Sequence, residues 1–223
     1  MPRTIVAGAL SAFGLAGGLM VASGEAQAQQ FSAVIVSRDR TGTVVGKPAR
    51  LYAADRKVRI ETPELPNHVL IVDGVKPAAY AVAPAQRMFL DAMQSSPLTQ
   101  LFVPLDPDDP CPQWHAMAEV AGISVPGEWR CSAEVRETVD GRGTVRFSMI
   151  SPLGRNTDWI DTQLKFPVKI ETEDGVVLAL QDIREEPQPA DKFEIPADYK
   201  KLNPRRLLEL IKQSDIWVEP PSR

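Results

Sequence analysis

Thr144-Val145-Arg146-Phe147-Ser148-Met149 alternates strictly, with Val145, Phe147 and Met149 on one side and Thr144, Arg146 and Ser148 on the other. A period of two is that of a β-strand with one apolar and one wet face. The same pattern returns in Leu164-Lys165-Phe166-Pro167-Val168-Lys169-Ile170-Glu171, where Phe166 is inward and Lys165 outward. It is also present in Lys57-Val58-Arg59-Ile60-Glu61, and in weaker form in Arg87-Met88-Phe89-Leu90-Asp91. Further strands are expected over 31–37, 49–53, 68–72, 79–83, 130–139 and 176–184. Asp73-Gly74, Asp140-Gly141 and Asp174-Gly175 separate successive strands. Each reads as a hairpin turn, because Asp and Gly tolerate the positive φ of a two-residue loop. Successive hairpins make an antiparallel meander. Pro167, which has no N–H to donate, marks an edge position or a bulge.

Helices are few. Ser96 caps a short segment over 98–103 that begins with Pro97 and is ended by Pro104. A second helix is expected over 112–121, with Trp114, Met117, Ala118 and Ala121 on one face and Gly122 beyond its end. A third starts at the cap Asn203, with Leu207, Leu208 and Ile211 inward. About ten strands with one apolar face must cover that face. A mainly β (α+β) fold follows: a curved antiparallel half-barrel of about ten strands, with two or three short helices on its concave side. A closed barrel and a two-sheet sandwich are the competing arrangements.

The first 28 residues set the compartment. Met1-Pro2-Arg3 carries a positive charge, an apolar and small-residue run follows, and Ala26-Gln27-Ala28 forms an A-x-A site. This pattern is that of a secretory signal peptide cleaved after Ala28, and the expected location is the periplasm. The alternative is a retained membrane anchor. The remainder, 29–223, has the size of one domain. The 223-residue chain is 43% hydrophobic with a formal net charge of −4, which places it among globular proteins. No basic block or basic–aromatic stripe points to nucleic acid. The two cysteines, Cys111 and Cys131, are expected to pair in an exported chain. Without a nearby pair of histidines they do not complete a tetrahedral metal shell. No metal and no cofactor is expected.

From Trp159-Ile160-Asp161 onward the chain resembles a known superfamily. The segment continues through Leu164–Ile170 and Asp174-Gly175 to Phe193-Glu194-Ile195-Pro196-Ala197-Asp198-Tyr199-Lys200-Lys201. It is similar to the closing third of periplasmic domains related to the outer-membrane lipoprotein carriers (LolA/LolB-like). In those domains a W-x-D strand, an "LPLK"-like strand and a terminal F-x-x-P-x-x-Y recur. Gly127-Glu128-Trp129-Arg130-Cys131 resembles a segment of the uncharacterised branch, in which a glycine-containing turn leads into a cysteine strand. The resemblance implies a curved antiparallel half-barrel with an apolar cavity that holds acyl chains. The buried Arg that locks the closed state of the classical carriers is not assigned to one Arg here, because the resemblance does not extend to its strand. Asp158 departs from the hydrophobic residue usual before the Trp.

Catalytic constellations are sparse. The two histidines, His68 and His115, lie in no nucleophile or base motif, and G-x-S-x-G is absent. Asp106-Pro107-Asp108-Asp109-Pro110 lacks the glycine turn of a calcium loop and reads as a solvated loop. No enzyme activity is expected. Phe102, Trp114, Met117, Phe147, Met149 and Phe166 are the candidates to line an apolar cavity, ordinary core packing being the competing reading. The function expected is binding or carriage of a hydrophobic ligand, an acyl chain or a lipoprotein-like group, by a monomer. The alternative is a structural or regulatory module that docks an envelope protein.

Overall fold

The structure, a computed structural model, describes residues 30–74, 78–92, 102–106, 108–120 (backbone only from 117), 129–151 and 154–203. Twelve strands form one open sheet. They are β1 (Phe31–Arg38), β2 (Ala49–Ala54), β3 (Lys57–Glu61), β4 (Val69–Asp73), β5 (Ala78–Ala83), β6 (Met88–Asp91), β7 (Arg130–Val139), β8 (Arg142–Ser151), β9 (Gly154–Asp161), β10 (Phe166–Thr172), β11 (Val177–Glu185) and β12 (Lys200–Lys201). The spatial order is β12-β6-β5-β4-β3-β2-β1-β11-β10-β9-β8-β7. β1 lies at the centre of the sheet; from it the chain meanders out to β6, crosses to the far edge at β7, and meanders back until β11 pairs with β1. All neighbours are antiparallel except β12, which runs parallel to β6.

The alternation seen in the sequence becomes burial. Val145, Phe147 and Met149 of β8 are buried, as are Val58 and Ile60 of β3. β10 begins at Phe166, so Leu164 and Lys165 belong to the preceding turn and not to the strand. Its register slips between Pro167 and Lys169, a bulge that absorbs the missing N–H of Pro167 within an interior strand. β9 and β12 extend the count beyond ten.

The three Asp-Gly pairs serve three different turns. Asp140 and Gly141 both have positive φ (49° and 81°) and close the two-residue loop between β7 and β8. Between β10 and β11 only Gly175 is left-handed. The loop is one residue longer, with Gly175 N donating to Thr172 O at 2.8 Å and Thr172 N to Val176 O at 2.9 Å. Gly74 has no positive φ. It ends β4 at a point of close approach, since a Cβ there would lie 2.8 Å from the Arg56 carbonyl oxygen. A two-residue turn with no glycine, Asp55-Arg56 (φ 49° and 62°), joins β2 to β3.

Among the described residues there is one α-helix, α1 (Cys111–Val120), and two short 3-10 turns, Pro84–Gln86 and Ala190–Phe193. None is long and apolar enough to cross a membrane. Of the segment expected to be helical over 98–103, Phe102 and Val103 are not helical and the rest lies outside the described residues. So does the helix expected after Asn203. The crossover contributes Phe102, Val103, Leu105 and Trp114 to the main core, where they pack with Phe31, Leu51, Val58, Ile60, Phe147, Phe166 and Ile170. On the opposite face the C-terminal segment lays Ile195 and Tyr199 against Val69, Ile71 and Val82. The sheet is thus covered on one face by its crossover and, at its β4–β6 end, on the other by its C-terminal segment.

Candidate ligand site

Two turns and one loop frame a cleft at the end of the core face. At the β2–β3 turn Arg56 donates to Gly74 O and to Gln113 Oε1, both at 3.3 Å. Gln113 Nε2 donates to the same Gly74 carbonyl at 2.9 Å, and Gly74 N donates to Arg56 O at 2.9 Å. This clamp ties the turn and the end of β4 to the first turn of α1. Gly74 is required there because any side chain would enter the Arg56 carbonyl.

The opposite wall is the β9–β10 turn. Asp161 Oδ1 accepts from Gln163 N (2.7 Å) and Leu164 N (2.9 Å) and so shapes the loop. Asp161 Oδ2 accepts from Arg142, which also reaches Glu185 at 2.8 Å. Burial works against the Arg142 charge, but the hydrogen bonds to Asp161 and Glu185 outweigh it and its pKa is raised. Lys165 then adopts φ 50°, and its carbonyl accepts from Leu105 N at 2.9 Å. That bond carries the loop 104–106 across the sheet end to meet the turn.

Between these walls lies a cleft of about 760 Å³. Its floor is apolar and buried: Phe31, Ala53, Ala54, Leu105, Leu164 and Phe166. Phe31 and Phe166 meet edge to face at 5.2 Å between centroids, and Phe102 stacks on Phe166 at 6.3 Å. The rim is polar, with Arg56, Lys57, Asp106, Gln113, Gln163 and Lys165. The volume is in the range of small-molecule sites.

The six cavity candidates are distributed unevenly with respect to this cleft. Phe102, Trp114, Phe147, Met149 and Phe166 are all buried in one core cluster. Phe166 is the one of them that lines the cleft, and Trp114 packs edge to face on Phe147 at 6.5 Å. The side chain of Met117 lies outside the described residues. The rim was not visible in the sequence. Asp55-Arg56 carries no glycine to flag a turn, and Lys165 reads as the outward position of a strand.

Cys111 and Cys131 are joined by a disulfide that ties the start of α1 to β7. Cys131 lies opposite Met149 in the ladder, on the face that α1 covers. His68 is exposed with Nδ1 2.9 Å from Pro66 O, and the exposed His115 meets Trp129 edge to face at 5.1 Å. In the acidic loop Asp106 accepts from Asp108 N at 3.0 Å, the pattern of a self-bonded turn. Among the described residues no group of three or more His, Cys, Asp or Glu is arranged to hold a metal.

One polar group interrupts the core. Asp158 lies between Phe147 of β8 and Ile170 of β10, fully buried, and neither carboxylate oxygen has a hydrogen-bond partner among the described residues. Nε1 of Trp114, whose ring packs on Phe147, is likewise buried without a partner among the described residues. Burial pushes the Asp158 carboxyl up to about 8, so it is held largely in its neutral form at pH 7.

No protein-family model matches the chain, and no curated protein matches it in sequence. Solved structures do. The structural neighbours include a LolA-superfamily protein. That protein, from Nitrosomonas europaea, is 11% identical with a TM-score of 0.35, over 76% of this chain and 91% of that one. An uncharacterized conserved protein from Thermus thermophilus is 10% identical with a TM-score of 0.45, over 79% and 91% of the two chains. PNGF-II is 8% identical with a TM-score of 0.51, over 83% of this chain and 33% of that one. The chain spans about a third of the length of PNGF-II. At these identities the likeness is one of fold.

Proposed function

We propose that this is an exported, non-catalytic protein of the periplasm that binds or carries a hydrophobic ligand with an acyl chain in the cleft between the β2–β3 and β9–β10 turns. The observation that carries the reading is the cleft itself: an apolar, aromatic floor under a polar rim. Alkyl surface laid on such a floor gains about 25 cal/mol per Å² removed from water. The signal-peptide pattern of residues 1–28 and the Cys111–Cys131 disulfide support export. The half-barrel curvature expected from the sequence belongs to the same reading, with the crossover seated in the concave side. Phe102, Trp114, Met117, Phe147 and Met149 then form the apolar layer that continues inward from Phe166.

The test is saturable binding of a fluorescent fatty acid by the purified protein. Ala54→Trp, checked for folding by circular dichroism, places a large ring at the floor of the cleft and is expected to weaken binding by about tenfold or more. Arg146→Ala, on the opposite face of β8, is expected to leave binding unchanged. Absence of saturable binding in the unaltered protein would remove the carrier reading and leave docking of an envelope protein in its place.

A further inference from the structure

Resting on the cleft as the ligand site, we infer that its ligand is an anionic amphiphile, with a carboxylate or phosphate head held at the mouth by Lys57, Lys165 and Arg56. Of the residues that line the cleft, three are cationic and one, Asp106, is acidic. The whole chain by contrast carries a net charge of −4, so the mouth is of opposite sign to the average surface. Asp55 and Asp73 lie at the same end of the sheet but outside the lining.

The three cations are differently committed. Arg56 donates from Nη2 to the neutral carbonyls of Gly74 and Gln113, which fixes its position without an ion pair among the described residues. Lys57 and Lys165 form no ion pair among the described residues. Asp106 Oδ1 is engaged by its own loop at Asp108 N. Lys57 and Lys165 stand on opposite walls, one opening β3 and the other closing the β9–β10 turn. A head group bound in the cleft lies between walls that each carry a lysine, Asp73 being the ladder partner of Lys57 outside the lining. The buried floor of Phe31, Leu105, Leu164 and Phe166 lies directly beneath, where only an apolar tail is accepted without loss of hydration. One site therefore presents charge and apolar surface side by side, which selects a molecule that is itself divided in that way.

The experiment is calorimetric titration with dodecanoate, dodecyl phosphate, dodecyltrimethylammonium and dodecyl maltoside, each below its micellar concentration, and with inorganic phosphate. The two anions are expected to bind about tenfold or more tighter than the cationic and neutral chains, and to weaken as salt is raised. Lys57→Glu with Lys165→Glu, checked for folding by circular dichroism, is expected to remove or invert that order. Arg56 is left intact because its hydrogen bonds hold the turn. Equal affinity for all four chains would overturn the head-group assignment while leaving the cleft as an acyl site. Inorganic phosphate binding as tightly as dodecyl phosphate would overturn it in favour of a simple anion site. If no chain binds at all, the acyl-binding reading fails as well.

Discussion

Asp158 puts an ionisable group into the core of the sheet. This carboxyl, between Phe147 and Ile170, has no partner among the described residues, so ionising it places an uncompensated charge in the core. A pKa moved up to about 8 corresponds to a penalty on the order of 5 kcal/mol against the ionised form. The sign of the pH effect follows. Between about pH 4, where the unfolded chain loses this proton, and about pH 8, where the folded chain does, the folded state holds the extra proton. Stability contributed at this site therefore falls as pH rises through that window. Urea unfolding at a series of pH values is expected to show the fall, and Asp158→Asn to flatten it. Asp158→Leu, which keeps the branched shape but is larger and carries no polar atom, is expected to raise stability at pH 7 by roughly 1–3 kcal/mol where the core takes up the added volume. An unchanged pH profile in the Asn variant would show that the carboxyl is satisfied in solution.

At the scale of single elements, α1 depends on its fastenings. Among its described residues it buries one large apolar side chain, Trp114, against Phe147. The Gln113 bond to Gly74 and the disulfide to β7 supply the remainder. The bridge spans a sequence separation of 20 residues, and a loop of that size is worth about 3 kcal/mol in the chain-entropy model. Cys111→Ser with Cys131→Ser is expected to lower unfolding stability by about 2–4 kcal/mol. Thiol titration of the denatured, unreduced protein is expected to find no free thiol, and two reactive thiols would contradict the bond. β7 itself is an exposed edge strand, with Val135 43% accessible. Arg146, paired with Glu134 and Glu137, anchors it to β8.

The whole molecule is organised by one long-range pairing. β1 joins β11 at the centre of the sheet, so each half-meander is local and their union is not. The first described residues lie beside this seam: Gln30 Oε1 accepts from Gln188 N at 2.7 Å, and Glu186 N donates to Gln30 O at 3.1 Å. The proposed cleavage after Ala28 would put a new terminus at Gln29, beside the residue that makes these bonds. Intact mass of protein recovered from the periplasm is expected to match a chain beginning at Gln29. The full-length mass would indicate an anchored protein. Native spectra of the same sample test for a co-purified ligand.

The strands were legible because period-two alternation is a local property: Val145, Phe147 and Met149 declare their common face without reference to any partner. Pro167 declared an edge position or a bulge for the same reason, since the missing N–H is intrinsic to the residue, and the tertiary structure decided for the bulge. The two-residue turn at Asp140-Gly141 was equally local. Gly74 was not, because its role depends on the Arg56 carbonyl brought against it by a neighbouring hairpin. The pairing of β1 with β11 and the crossing of the chain from β6 to β7 leave no periodic trace in sequence. The cleft is the clearest case. Phe166 was foreseen as inward, but Arg56, Lys57 and Lys165 belong to turns far apart in the chain, and their convergence is a property of the assembled sheet. Local alternation and turn chemistry determine which residues are strands and which side is apolar. Only the tertiary structure decides where that apolar side is left open, because an opening is defined by what the rest of the chain does not cover.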